Sequence, residues 1–108
     1  MDQKDEKMKV DYLGRPCRSD LWAAFDQLMG IARQSSSSSF VARDLLVHSH
    51  GRMGFDIGQT YKFDSANRQA AVVVIAHAIT GGDDREFGNY LKQKGLTKLE
   101  WLKDRVWV

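Results

Sequence analysis

Three histidines, one cysteine and two loose pairs of aspartates are the side chains whose types and spacing could support chemistry. His48 and His50 stand two residues apart, so on a helix they point in different directions. A helical metal pair needs a spacing of three or four. No Cys or His cluster surrounds them, and near a helix C-terminus their protonated forms would suit the dipole. His77 falls inside an apolar run and reads as a hydrogen-bonded, partly buried residue. Cys17, between Arg15 and Arg18, would need a base and an orienting group to act as a nucleophile. A charged terminal tail does not hold such geometry. Asp83/Asp84 and Asp56/Asp64 read as helix caps and turn formers. The stretch "GRMGFDIGQ" lacks the Lys-Ser/Thr of a phosphate loop and the spacing of a dinucleotide fingerprint. None of the five serines from Ser35 to Ser39 sits in a nucleophile-elbow pattern. The expectation is a protein that is not an enzyme, with no catalytic residues, no metal and no cofactor.

Composition agrees with a folded globular protein. The 108 residues are a single-domain length, with 43% hydrophobic and 28% charged residues, an ordinary globular balance. One cysteine allows no intrachain disulfide, which fits a reducing cytoplasm. The charged start has no apolar signal region. The longest apolar run, Ala70 to Ile79, is about half of a membrane span. A soluble, cytoplasmic protein without membrane contact is expected.

The elements that must position these residues read as helices. Residues 1–18 form a charged, flexible tail, with Val10, Tyr12 and Leu13 as its few anchors, and residues 19–108 form one helical domain. Ser19 caps a first helix whose Leu21, Trp22, Phe25, Leu28, Met29 and Ala32 recur at helical spacing. It ends near Arg33 or Gln34. Serine runs suit caps and turns, so Ser38 or Ser39 caps a second helix, "FVARDLLVHSH", and the earlier serines make an intradomain turn. Phe55, Ile57 and Phe63 pin the next connection to the core, with a short extended piece at Phe55 to Ile57. Asp64 caps a third helix. Its Val72–Ile75 run favours strand by propensity, but its length and alanines favour helix. Both its faces are apolar, which predicts burial on most sides.

Gly81 and Gly82 end that helix. Asp83 then caps a fourth helix, with Glu86 at the capping-box position, Phe87, Tyr90 and Leu91 inward, and Gly95 closing it. Thr97 caps a fifth, with Glu100 at N3 and a staple between Leu96 and Trp101. The sum is an all-α fold: a compact bundle of about five helices with a charged N-terminal tail. Ser39, Asp64, Asp83 and Thr97 are its structural caps.

Net charge is only +2, unevenly spread. From Tyr90 onward come Lys92, Lys94, Lys98, Lys103 and Arg105 against Glu100 and Asp104. Tyr90, Trp101 and Trp107 interleave with them, and basic plus aromatic residues can stack on nucleic acid or anchor a protein. Lys92, Lys94, Lys98, Lys103, Arg105 and Trp107 are therefore the candidate partner-binding residues. Helix two makes a poor DNA-recognition helix, since it carries one Arg, one Asp and little else that reads base edges.

"LMGIARQ…SFVARDLL", followed by "GFDIGQTYKFDSANRQAAVVVI", resembles an uncharacterised domain of bacterial, plasmid and phage proteins. The matching residues are Ile31, Ala32, Ser38, Val41, Ala42, Phe55, Asp56, Ile57, Asp64 and Asn67, within residues 21–80. The family's turn usually reads Thr-Gly-Gln-Ser, and the serine run departs from it. The resemblance implies an accessory protein of a mobile genetic element. It would bind a host protein or protein complex, in the manner of an anti-CRISPR-like inhibitor of a defence system. The alternative is a small nucleic-acid-binding protein that uses the C-terminal segment.

Overall fold

A computed structural model describes residues 14–51, 55–96, 99 and 101, without the side chains of residues 50 and 51. Among them are five helices and no strand. These are α1 (Arg18–Ala32), α2 (Ser37–Gly51), a 3-10 helix (Ile57–Lys62), α3 (Ser65–Ile79) and α4 (Glu86–Lys94). The all-α bundle expected from the periodicity is present.

α1 is the centre of the bundle. Its apolar stripe places Leu21, Ala24, Phe25, Leu28, Met29 and Ala32 inside, against α3, α2 and α4. The helix starts at Arg18 with Cys17 as N-cap, not at Ser19, and no side-chain cap is made there. The expected tail therefore runs too far. Pro16 is buried, and Arg15 Nη2 donates to the Thr80 carbonyl at 2.6 Å. Thr80 caps the C-terminus of α3, where carbonyls lack helical partners and a cation suits the dipole. Residues 1–13, with Val10, Tyr12 and Leu13, lie outside the described residues.

The serines are a turn, and their cap lies earlier than Ser38 or Ser39. Ser36 N–H donates to Ser39 Oγ at 3.2 Å, and Ser39 N–H donates back to Ser36 Oγ at 3.3 Å. That is a reciprocal capping box in which the short Ser39 replaces the usual Glu or Gln. Ser39 is thus a cap partner within the first turn of α2, fully buried, and Ser36 is the residue ahead of the helix. Arg43 closes the turn, donating to the carbonyls of Ala32 and Gln34, both at 2.7 Å. Val41, Ala42, Leu45, Leu46 and Val47 complete the α2 side of the core.

The connection to α3 departs from its expectation. Phe63 is buried and Phe55 packs at the core's edge, but Ile57 is exposed. The expected extended piece reaches only to Asp56; from Ile57 the chain turns as a 3-10 helix. The Asp56 carboxylate caps it by accepting from Gly58 N–H at 3.0 Å.

Asp64 caps α3, accepting from Asn67 N–H at 3.0 Å. The β-branched run is helical. Ala70, Ala71, Val73, Val74 and His77 face inward, but Val72 and Ile79 face out. The expectation of burial on most sides is corrected: α3 packs through one face only. It ends in a Schellman turn, with Gly81 at φ 78° and Gly82 N–H on the His77 carbonyl at 2.9 Å. A Cβ on Gly82 would overlap the His77 ring.

α4 begins at Glu86 behind Arg85, so Asp83 is not its N-cap. Asp83 instead accepts from Arg85 N–H at 2.9 Å and from its guanidinium at 3.1 Å. Glu86 makes no capping box because α1 offers it stronger donors: Arg18 at 3.1 Å and 3.2 Å, and Trp22 Nε1 at 3.1 Å. Phe87, Tyr90 and Leu91 are buried, and Gly95 closes the helix at φ 69°. Thr97 and Glu100 lie outside the described residues; Leu96, Leu99 and Trp101 pack against the core.

Two predictions follow from the caps. Ser36→Ala lowers the unfolding free energy by about 1 kcal/mol, whereas Ser35→Ala stays within about 0.5 kcal/mol. Equal losses in denaturant titrations would place the cap elsewhere. The Arg85 hydrogen bonds hold the Asp83 carboxyl down from 3.8 to about 2. Its folded value is the depressed one, so its stabilisation is present above about 3.8 and fades as pH falls towards about 2. NMR titration should show that midpoint, and Arg85→Ala should return it towards 3.8.

Candidate functional site

The expected basic, aromatic contact segment divides in the structure. Tyr90 belongs to the core: its ring packs at 5.2 Å from Phe25 and edge-on at 5.5 Å from Trp22. Its hydroxyl donates to Asp26 Oδ1 at 2.6 Å. Burial first, and that hydrogen bond second, push the hydroxyl well above the usual tyrosine range, so it acts as a donor. Lys94 leans back on the same group, 3.8 Å from Asp26 Oδ1 and over the Tyr90 ring. Lys92 is exposed on α4. Trp101 is half-buried, with the Arg43 guanidinium 5.9 Å from its ring centre. Lys98, Lys103, Arg105 and Trp107 lie outside the described residues.

The chemistry-bearing residues are scattered. His77 is buried under Gly82 at the end of α3. His48 lies edge-on to Phe55, ring centres 6.4 Å apart, and its Nδ1 is shielded with no hydrogen bond among the described residues. Cys17 Sγ stands 3.3 Å from Ser19 Oγ. Asp56 and Asp64 are caps on different elements. Among the described residues no group of three His, Cys, Asp or Glu converges as a metal site. Nor is any helix among them long and apolar enough to cross a membrane.

What the fold does concentrate is apolar surface. Five large hydrophobic residues among the described ones are strongly exposed: Phe40 at 60%, Ile57 at 58%, Tyr61 at 68%, Val72 at 55% and Ile79 at 75%. All five stand on α2, the 3-10 helix or α3, and none on α1 or α4. Between these three elements runs a cleft in two connected parts. The first, ≈ 350 Å³, is lined by Leu45, His48, Ser49, Phe55, Ile57, Ile75, Ala78 and Ile79. The second, ≈ 200 Å³, continues past His48 and Phe55 to Phe40, Val41, Asp44, Asp56, Gln59 and Lys62. The cleft is thus apolar at one end and carries two aspartates and a lysine at the other.

The local sequence explains each wall. Phe40, Asp44 and His48 recur every four residues and share one α2 face. The Asp56 cap and the glycine after it turn the chain into the 3-10 helix, which sets Ile57 on the rim. Ile75, Ala78 and Ile79 follow at helical spacing on α3. Sequence reasoning missed this site because its three walls come from separate segments. The available signal was the surplus of apolar residues on α3, more than one buried face needs.

No protein-family model matches the chain, no curated protein matches its sequence, and no solved structure matches its fold.

Proposed function

We propose that the protein is a non-enzymatic binding protein, an accessory factor of a mobile genetic element that acts on a host protein complex. Its docking site is the cleft between α2, the 3-10 helix and α3, and the ligand is an amphipathic helix of the partner. The observation that carries this reading is that three of the five exposed large hydrophobics of the described residues, Phe40, Ile57 and Ile79, line that cleft. Contiguous exposed apolar surface marks interaction sites. The cleft's chemistry suits a helix whose apolar face fills the end at Ile57, Ile75 and Ile79. A Lys or Arg one or two turns away would meet Asp44 and Asp56.

A non-catalytic role is supported by the structural duties of the described carboxylates. Five of them carry such duties: Asp26, Asp56, Asp64 and Glu86 each accept a hydrogen bond that holds a helix or a helix pair, and Asp83 accepts one that holds the turn before α4. The mobile-element setting, and action as an inhibitor of a defence system, rest on the resemblance of residues 21–80 to the plasmid and phage domain. The nucleic-acid alternative is weakened in the described part of its segment, where Tyr90 is buried and Lys94 is engaged with Asp26.

Affinity capture from host lysate, with and without nuclease, tests the proposal. The expected result is one stoichiometric protein that survives nuclease and is lost with Phe40→Gln/Ile57→Gln. It should persist with Lys92→Ala/Lys94→Ala. No stoichiometric protein, or a capture indifferent to the cleft variant, would overturn it.

A further inference from the structure

The described chain ends at Trp101, beside the cleft. The Arg43 guanidinium stands 5.1 Å from the Phe40 ring centre and 5.9 Å from the Trp101 ring centre. One side chain therefore links Trp101 to Phe40, which lines the polar part of the cleft. Seven residues follow, Leu102 to Val108, and they lie outside the described residues. From Phe40 to His48, where the two parts of the cleft meet, is about 12 Å along α2. Seven residues in extended form reach roughly 23 Å, enough to run from Trp101 past Phe40 to His48.

Charge and composition match as well. The polar part of the cleft carries Asp44, Asp56 and Lys62. Asp44 is exposed and joins no ion pair with a described residue. Asp56 accepts from neutral groups, the Gly58 N–H and the Gln59 side-chain amide, and these leave its negative charge in place. Residues 102–108 carry the opposite set: Lys103 and Arg105 are basic and Asp104 is acidic. Leu102, Val106, Trp107 and Val108 supply apolar side chains for Phe40, Phe55 and Ile57. Apolar residues beside Lys or Arg are the same chemistry that the cleft asks of a partner helix.

We propose that residues 102–108 of the chain turn back into the cleft and cover it until a partner displaces them. Being tethered at Trp101, the segment acts at a high effective concentration, so weak contacts suffice to hold it there. Its contact with the cleft stands on the placement and charges above. Its regulatory consequence, competition with the partner, rests on the docking reading.

The test has two arms, both on the full chain. In the first, Cys17→Ser/Val108→Cys carries a nitroxide, and NMR reads the relaxation it induces at each amide. Enhancement at Phe40, Asp44 and Ile57 should exceed that at the exposed Ala23 and Gln27 of α1 at least fivefold. Adding Asp44→Lys should cut the cleft enhancement at least twofold. Equal enhancement at the cleft and α1, or a cleft signal indifferent to Asp44→Lys, overturns the contact. In the second arm, Lys103→Glu/Arg105→Glu/Trp107→Ser should capture at least threefold more of the stoichiometric host protein than the wild type. Unchanged or reduced capture overturns the competition. Capture of nothing by either form sinks the docking reading, and the competition with it, while the nitroxide arm still decides the contact.

Discussion

The fold depends on one demand: the apolar stripe of α1 must be covered from three directions. Leu28 and Ala32 have no exposed surface, and Leu21 and Phe25 have almost none. α2 and α3 cover most of the stripe, and α4 closes the rest with an aromatic cluster. The Phe25 ring lies 5.1 Å from Phe87 and 5.2 Å from Tyr90. Two polar clamps set the register of α4 on α1, the Tyr90 hydroxyl on Asp26 and the Glu86 carboxylate on Arg18 and Trp22. Neither clamp is fully buried, so their geometry fixes position more than it adds stability.

Satisfying α1 has a consequence on the far side of the molecule. α3 turns its one buried face, with Ala70, Val73, Val74 and His77 among others, to α1 and α2. The bundle has no further described element to lay over the remaining face of α3. The apolar residues left there, with Ile57 and Phe40 across the cleft, are surplus to the fold. A small domain does not usually carry such contiguous surface without a use. The proposed partner helix covers the part of it that lines the cleft, at Phe40, Ile57, Ile75 and Ile79.

Much of the architecture was legible because it is written locally. The α1 stripe, the Asp64 cap and the Gly95 terminus each depend on residues within a turn of one another. Where the reading failed, a distant partner had decided the matter. Asp83 and Glu86 have capping-box spacing, yet Glu86 is claimed by Arg18 and Trp22, more than sixty positions earlier. Ser36 could not be told from its four neighbours without knowing that Ser39 would be buried. The residues Ile57 to Lys62 show no apolar period, so the 3-10 helix gave no signal. In α3 apolar residues surround the helix, and such a helix does not say which face will be covered. The basic C-terminal residues stood out by charge, whereas the cleft was hidden because its walls lie at positions 37–49, 55–62 and 75–79.

The central claim is that the α2 and α3 outer surface serves interaction and not the core. Its most direct test is equilibrium unfolding of Phe40→Gln/Ile57→Gln/Val72→Gln beside the wild type, at a concentration where both are monomeric. Glutamine preserves helix propensity at the two helical positions. The account predicts a change of less than about 1 kcal/mol, as for exposed positions. A loss of several kcal/mol, as large as truncations in a packed core give, would show that these side chains hold the fold together and would contradict it.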